Sequence, residues 1–259
     1  MSAGALLVLL LTGPAAAQST SRVSVDSGGA QGNAPSVIPS ISANGRYVAF
    51  ASAASNLVVG DTNGFIDVFV HDRESGMTER VSIDSLGAQG NSHSGYYAVT
   101  ISGDGRFVAF DSKATNFISG GGGYLDIFLR DRQNGTTELI SVANGGGGVY
   151  LFFDCFSPAI SDDGRYVAFV GEEQHVGGEF RWQVYLRDRQ SATTDEQMSV
   201  NSGESDGNGD SFRPSVSADG RYVAFYSEST NLVGGDTNGW GDVFVRDRQS
   251  GTTQRVSVD

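Results

Sequence analysis

The chain has 259 residues and a formal net charge of −13, with 36 glycines, one cysteine and a single lysine, Lys113. So acidic a surface has no basic stripe to neutralise phosphates, which argues against nucleic acids and anionic membrane surfaces as partners. Cations and neutral or basic partners remain, and the lone Cys155 rules out an intramolecular disulfide.

Residues 1–17 stand apart from the rest of the chain. Ala5 to Leu11 is an apolar run, too short for the roughly 20 residues that cross a bilayer. Gly13-Pro14 and Ala15-Ala16-Ala17 come next, a small-residue pattern expected of a signal peptide cut after Ala17, although a basic leading segment is missing. No other stretch is long and apolar enough to span a membrane as a helix.

Residues 18–259 are organised by repetition, which fixes architecture before any local reading does. The phrase Ser42 to Phe50 (SANGRYVAF) returns at Ser102 to Phe110, Ser161 to Phe169 and Ser217 to Phe225. An Asn-Gly or Asp-Gly pair before an apolar run is a hairpin signal, because glycine takes positive φ without strain. Asp67-Val-Phe-Val70 and its copies at 126–129 and 242–245 form a β-branched and aromatic run. An Asp-Arg pair closes each of these units, at 72–73, 131–132, 188–189 and 247–248. The RVSVD phrase, or a close copy, falls at 22–26, 80–84, 139–144, 197–201 and 255–259. With a short run before each nine-residue phrase, this gives four strands per repeat, A to D. The expected fold is all-β: a propeller of four-stranded antiparallel blades near 35–84, 95–143, 154–201 and 211–259.

Strand parity puts the A–B and C–D turns on one face and the longer B–C and D–A connections on the other. Loops on a rigid scaffold are where binding resides, so the second face is the expected binding face. A residue present in every blade is expected to build the blade, so the arginines of the repeated phrases are assigned to turns and inter-blade ion pairs. The departures carry the functional signal. They are Tyr150, Phe152 and Phe153 ahead of the third blade, Trp182 within it, Tyr96 and Tyr97 in the second and Trp240 in the fourth. Exposed aromatics with charged neighbours suit a protein hot spot or a sugar-stacking surface; filling gaps between blades is the other use for such rings.

Catalytic patterns are sparse. No Gly-x-Ser-x-Gly elbow occurs, and His71, His93 and His175 have no motif partners. His71 replaces an arginine of the other copies and is expected at a solvated strand end. Cys155, flanked by phenylalanines, is expected to be a buried thiol. Glu172 and Glu173 break the repeat and are the first candidates for a paired acid and base; an exposed acidic loop is the alternative. Asp61, Asn63 and Asp67, with Asp236, Asn238 and Asp242, share the pattern D-x-N-G-x-x-D. Such oxygen ligands on a glycine turn suit calcium at the weak affinities of extracellular sites, while an Asx turn bonded to its own backbone is the competing reading.

Pro214 to Phe225 and Asp242 to Thr253 resemble the TolB-like propeller family of bacterial exported proteins. The resemblance implies a periplasmic or secreted platform with a protein partner, and the lack of a catalytic pattern leads to the expectation of no enzymatic activity. A carbohydrate-active module, binding or cleaving glycans through carboxylates of the same face, is the alternative. Repeats here are 56 to 60 residues apart, longer than the familiar blades of about 40 to 50.

The count of phrases bears on closure. RVSVD occurs five times and the nine-residue phrase four, so Arg22 to Asp26 is expected as a surplus N-terminal strand at an edge. That predicts part of a longer propeller or an open arc, whose unpaired edges template association; a closed four-bladed ring is the rival.

Overall fold

The computed structural model describes residues 19–118, 123–141, 154–175, 178–191 and 195–258. Strands β1 (Ser36–Ile41), β2 (Tyr47–Ser52), β3 (Asp67–Asp72) and β4 (Thr78–Arg80) form the first blade. The second is β5 (Ser94–Ile101), β6 (Phe107–Ser112), β7 (Asp126–Asp131) and β8 (Thr136–Leu139). The third is β9 (Cys155–Ile160), β10 (Tyr166–Gln174), β11 (Phe180–Asp188) and β12 (Glu196–Gln197). The fourth is β13 (Ser211–Val216), β14 (Tyr222–Ser227), β15 (Asp242–Asp247) and β16 (Thr252–Arg255). Each blade is an antiparallel meander with its strands in sequence order.

The nine-residue phrase makes the A–B hairpin for a local reason. Ser102 Oγ donates to the Asp104 carboxylate at 2.6 Å and accepts the Phe107 N–H at 2.9 Å, while Gly105 takes φ of 78°. Serines 42, 161 and 217 repeat this arrangement. Side-chain acceptors thus satisfy the turn's backbone donors, and glycine supplies the left-handed residue.

Most of the core lies between blades; one further cluster, Val48, Phe50, Ala54, Leu57 and Phe69, lies within the first blade. Each blade presents a face of small side chains to the large side chains of the next. Ala49, Ala51, Val68 and Val70 of the first blade share one buried cluster with Val108, Phe110 and Phe128 of the second. Second and third blades meet around Ala109, Ile127, Val167 and Phe169, and third and fourth around Ala168, Val184, Phe225 and Phe244. This is why the Tyr-Val-Ala-Phe run reads as continuously apolar: in the second and third blades both faces of the central strands are covered by neighbours.

A set of polar contacts fixes each junction at the A–B turns. Arg46, Arg106, Arg165 and Arg221 each make a two-pronged bond to the Asp of their own blade's Asp-Arg pair, Asp72, Asp131, Asp188 and Asp247. Arg106 holds the Asp131 carboxyl down at about 2. The arginine of the pair reaches backward to the preceding blade. Arg132 bonds Glu79 at 2.6 Å and lies 4.5 Å from the Tyr47 ring centre. Arg189 does the same with Glu138 and Phe107, and Arg248 with Glu196 and Tyr166. The structural assignment of the repeated arginines therefore holds.

Connections B–C and D–A meet on one face, as parity requires. Asn33, Asn91 and Asn208 of the connecting segments exchange side-chain bonds with Asn56, Asn116 and Asn231 of the B–C loops, or their neighbours.

Two expectations are corrected. Arg22 to Asp26 is not an added strand; Val25 makes one isolated bridge, with Gln31. The reason is that the RVSVD phrase is the exit from strand D, and the residues that pair are the Thr-x-Arg segment before it, such as Thr78 to Arg80. The first copy carries the same pattern in Thr20-Ser21-Arg22, but no strand forms there and no strand C precedes it among the described residues. It lies along β4 instead, where Thr78 Oγ1 donates to the Val25 carbonyl at 2.6 Å and the Thr78 N–H to Ser27 Oγ at 3.0 Å. Connectors 83–85 and 200–202 clip Thr137 and Thr253 in the same way. His71 is likewise not a solvated strand end. It is buried, with Nδ1 2.9 Å from Thr78 Oγ1, doing for the first blade what Arg130 and Arg246 do for the second and fourth.

The blades pack in succession through their A strands, β1 on β5, β5 on β9 and β9 on β13. No comparable packing joins the fourth blade to the first among the described residues. The four blades form an arc.

The backward-reaching arginine sets up a contrast. Arg132→Ala removes a charged hydrogen bond and a cation–π contact and should cost about 1–3 kcal/mol in urea unfolding. Arg73→Ala, at the blade with no predecessor in the arc, should cost well under about 1 kcal/mol. Equal losses would show that the arginine acts only within its own blade.

Candidate binding face

The A strands line the axis of the arc, and each is kinked. Ile38, Ser157 and Arg213, each followed by proline, take φ of 54°, 54° and 55°, and the register of each strand shifts there. A bulge of this kind re-aims side chains at a rim. The second blade lacks the proline and solves the same problem differently. Gly95 takes φ of 69°, and the N–H groups of Tyr96, Tyr97 and Ala98 all donate to the carboxylate of Asp111 at about 3.0 Å. Asp111 is wholly enclosed, so burial pushes its carboxyl up while those N–H bonds oppose the shift. One buried carboxylate thereby fixes three consecutive residues and presents two tyrosines outward.

The result is a row of aromatic rings along the axis. Tyr96 and Tyr97 meet edge to face at 5.1 Å, Tyr97 lies 4.8 Å from Phe156, and Phe156 lies 4.9 Å from Trp182 and 6.5 Å from Phe212. Tyr96 and Tyr97 are more than half exposed. Two hollows flank Tyr97. One, of about 320 Å³, is lined by His93, Tyr96, Lys113, Leu125 and Asp154. The other, of about 710 Å³, runs past Phe156 and Phe212 to Arg213, Tyr226, Glu228 and Val243 of the fourth blade.

Of the aromatic residues singled out from sequence, Tyr96, Tyr97 and Trp182 are brought together in this row. Trp182 is half-buried, its N–H donating to Asp210 Oδ1 at 3.0 Å. Trp240 stands apart at the tip of the fourth blade's B–C loop, 80% exposed. Tyr150, Phe152 and Phe153 lie outside the described residues. Phe156 and Phe212 were missed, although both sit where Val37 sits in the first blade, so comparing copies position by position would have found them.

The candidate acid–base pair does not converge. Glu172 and Glu173 are consecutive on β10, and successive strand residues point to opposite faces. Glu173 accepts a hydrogen bond from the Tyr185 hydroxyl, and Glu172 sits near Asp154 and Asp210, its carboxyl raised first by burial and then by those two charges. Asp154 and Asp210 are committed elsewhere. Asp154 accepts the Leu125 N–H at 2.8 Å, as Asp210 accepts that of Trp182, and His93 Nδ1 accepts that of Ile66 at 3.0 Å. These three side chains are equivalent acceptors joining successive blades. Cys155 is fully buried, and burial pushes its thiol far up, so it is inert.

The D-x-N-G-x-x-D loops are organised around arginine. Arg80 Nη1 lies 3.1 Å from Asp61 and 3.2 Å from Asp67, while Asn63 donates to Asp67 and accepts the Phe65 N–H. Arg255 stands in the same way 3.0 Å from Asp236 and 3.3 Å from Asp242, with Asn238 capping the turn. A guanidinium faces these carboxylates where the calcium reading placed an ion, and no cluster of three or more metal-ligating side chains occurs among the described residues.

That arrangement explains an oddity of the second blade. Leu139 replaces the arginine, leaving Asp126 buried with only Ser141, among the described residues, donating to it, and burial pushes its carboxyl up to about 6. The third blade avoids the problem by using Gln183. A folded value above the unfolded one means that the contribution is intact below about pH 4. It is lost as pH rises through about 6. Asp126→Asn should therefore match the parent near pH 4 and exceed it above pH 6 by on the order of 2–3 kcal/mol, as should Leu139→Arg, read by thermal melts. A variant that gains nothing at neutral pH would contradict this. Arg80→Met should cost about 3–5 kcal/mol by stranding Asp61 and Asp67, while a calcium chelator should leave the parent's melting temperature unchanged.

No protein-family model and no curated protein sequence matches the chain. Solved structures do. TolB from Acinetobacter baumannii matches at 16% identity and a TM-score of 0.53, covering 86% of this chain and 43% of that one. A putative TolB from Agrobacterium tumefaciens matches at 17% identity and 0.51, covering 87% and 63%. The tricorn protease matches at 14% identity and 0.50, covering 84% of this chain but 21% of the protease. The chain thus spans less than two thirds of each of these proteins. What the likeness shows is the fold: an all-β arc of four-stranded blades built as in the TolB β-propellers.

Proposed function

We propose that the protein is an exported bacterial binding or scaffold module without enzymatic activity, whose B–C and D–A face meets a protein partner. The observation that carries this reading is the aromatic row at the axis. Tyr96 and Tyr97 are held outward by a buried carboxylate rather than packed into a junction. Rigid, half-exposed rings of this kind, next to Lys113, His93 and Asp154, have the composition of a protein hot spot with a polar rim. Preorganisation matters because a ring already fixed loses little conformational entropy on binding. Export is supported by the small-residue pattern at Ala15 to Ala17 and by the likeness to TolB propellers. Among the described residues no helix is long and apolar enough to cross a membrane.

A glycan is the second reading, and one observation favours it. The larger hollow sets Tyr97, Phe156 and Phe212 opposite Arg213 and Glu228, so that rings stack and charged groups hydrogen-bond, as sugars require.

The test is capture of partners from the native organism's exported fraction on the immobilised protein, beside a glycan array. Tyr96→Ala and Tyr97→Ala should each weaken the captured interaction about tenfold or more, with melting curves that show a folded chain. Trp240→Ala, remote from the row, should have a smaller effect. Capture insensitive to both tyrosines would move the partner to another surface. Glycan binding lost with Tyr97 and no protein captured would select the second reading.

A further inference from the structure

Three junctions inside the chain define what one blade requires of the next. The aromatic residue after the turn arginine, Tyr47, Phe107 or Tyr166, is covered by the following blade's glycine and backward-reaching arginine. A Cβ on Gly105, Gly164 or Gly220 would come within 2.1, 2.1 or 2.0 Å of those rings. The guanidinium of Arg132, Arg189 or Arg248 lies 4.5, 4.4 or 4.7 Å from the ring centre. An N–H of each turn also donates forward, from Ala43 to the Gly103 carbonyl, from Gly103 to Asp162 and from Asp162 to Ala218.

Both halves of this interface are exposed at the ends of the arc. At the fourth blade, Val243 is 41% exposed where Val68, Ile127 and Val184 are 0%. Among the described residues the only guanidinium over the Tyr222 ring is that of its own Arg221, and the forward series of backbone bonds stops at Ala218. Tyr226 of the same face lies against Gly241 and lines the larger hollow. At the first blade, Ile41 is 57% exposed where Ile101 is 6%. Arg73 is exposed, bonding its own Gly45 carbonyl, and Gly45 has φ of 72° with no ring above it. The two ends match the internal junction in the ring, glycine and arginine they offer and in hydrogen-bonding sense, while Val48, Phe50 and Phe69 of the first blade are already buried within it.

We propose that the open face of the fourth blade docks the first blade of a second copy of this chain, head to tail, reproducing the internal junction. Ile41 and Gly45 of the incoming copy cover Tyr222, its Arg73 stacks on that ring, and the Ala218 N–H donates to its Ala43 carbonyl. One element is weaker than in the internal junctions. Gln254 stands in register where Glu79, Glu138 and Glu196 stand in the other blades, so Arg73 meets a neutral partner. The contact is therefore reversible. It is heterologous, since the surfaces differ, so it either closes a ring of copies or extends a chain of them.

Sedimentation velocity of the full chain over a wide concentration range tests this. The parent should self-associate reversibly. Ile41→Asp and Val243→Asp should each sediment as monomers with unchanged circular dichroism. Mixed together they should form a heterodimer and nothing larger, because one intact face remains on each. Gln254→Glu should tighten association about twofold to fivefold by restoring the ion pair. A parent that stays monomeric at every concentration would overturn the proposal. So would association that survives either substitution, or a mixture that does not pair. A foreign protein retained by the parent and lost with Val243→Asp, without self-association, would assign the face to that partner and equally overturn it.

Discussion

Everything in this arc depends on one contact between blades: an aromatic ring held beneath the glycine and arginine of the next blade. A meander of four strands cannot bury both of its faces alone, so each blade is stable only as a neighbour. The contact explains why the sequence repeats what it does. Glycine at 105, 164 and 220 is required twice over, by positive φ and by the ring that leaves no room for a Cβ. The Asp-Arg pair divides its work, with Asp131 holding Arg106 inside the blade and Arg132 reaching back to Glu79 and Tyr47. The bidentate geometry and the stacking both need a planar guanidinium, which accounts for a chain with a single lysine among its 17 cationic residues.

Against so strict a repeat, departures become legible as either repair or function. Repairs keep the bonding pattern with different atoms: His71 for an arginine against Thr78, Gln183 for an aspartate against Ser199. Asp126 is a departure without repair, a carboxylate whose arginine position is held by Leu139. The second blade's Gly-Tyr-Tyr-Ala is different, because it spends a fully buried carboxylate to hold two tyrosines outward. Nothing in the blade's own packing asks for exposed rings there.

How much was readable from the sequence obeys the same division. The hairpin glycines, the Asp-Arg pairs and the shared face of the B–C and D–A loops were all legible, because each rests on local chemistry repeated four times. Strand D was placed a few residues late: the RVSVD phrase is more alternating than the Thr-Thr segment that pairs, and it drew the strand toward itself. His71 was misplaced because its burial depends on a connector, residues 25–27, that lies about fifty residues earlier in the chain. The loop carboxylates read as calcium ligands because Arg80 and Arg255 lie beyond strand C, where spacing alone does not link them to the loop. Glu172 and Glu173 were paired by adjacency, which in a strand separates side chains. The axial rings needed the bulge, and only Tyr96, Tyr97 and Trp182 stood out from sequence alone.

The central claim is that burial is supplied by the next blade, so the last face of the arc is bare. Hydrogen–deuterium exchange at low protein concentration tests it most directly, since backbone protection reports local opening. The account predicts strongest protection in β6, β7 and β10, which have a neighbour on each side, and markedly faster exchange in β14 and β15. Protection in β14 and β15 equal to that of β6 and β7 at the same dilution would contradict it.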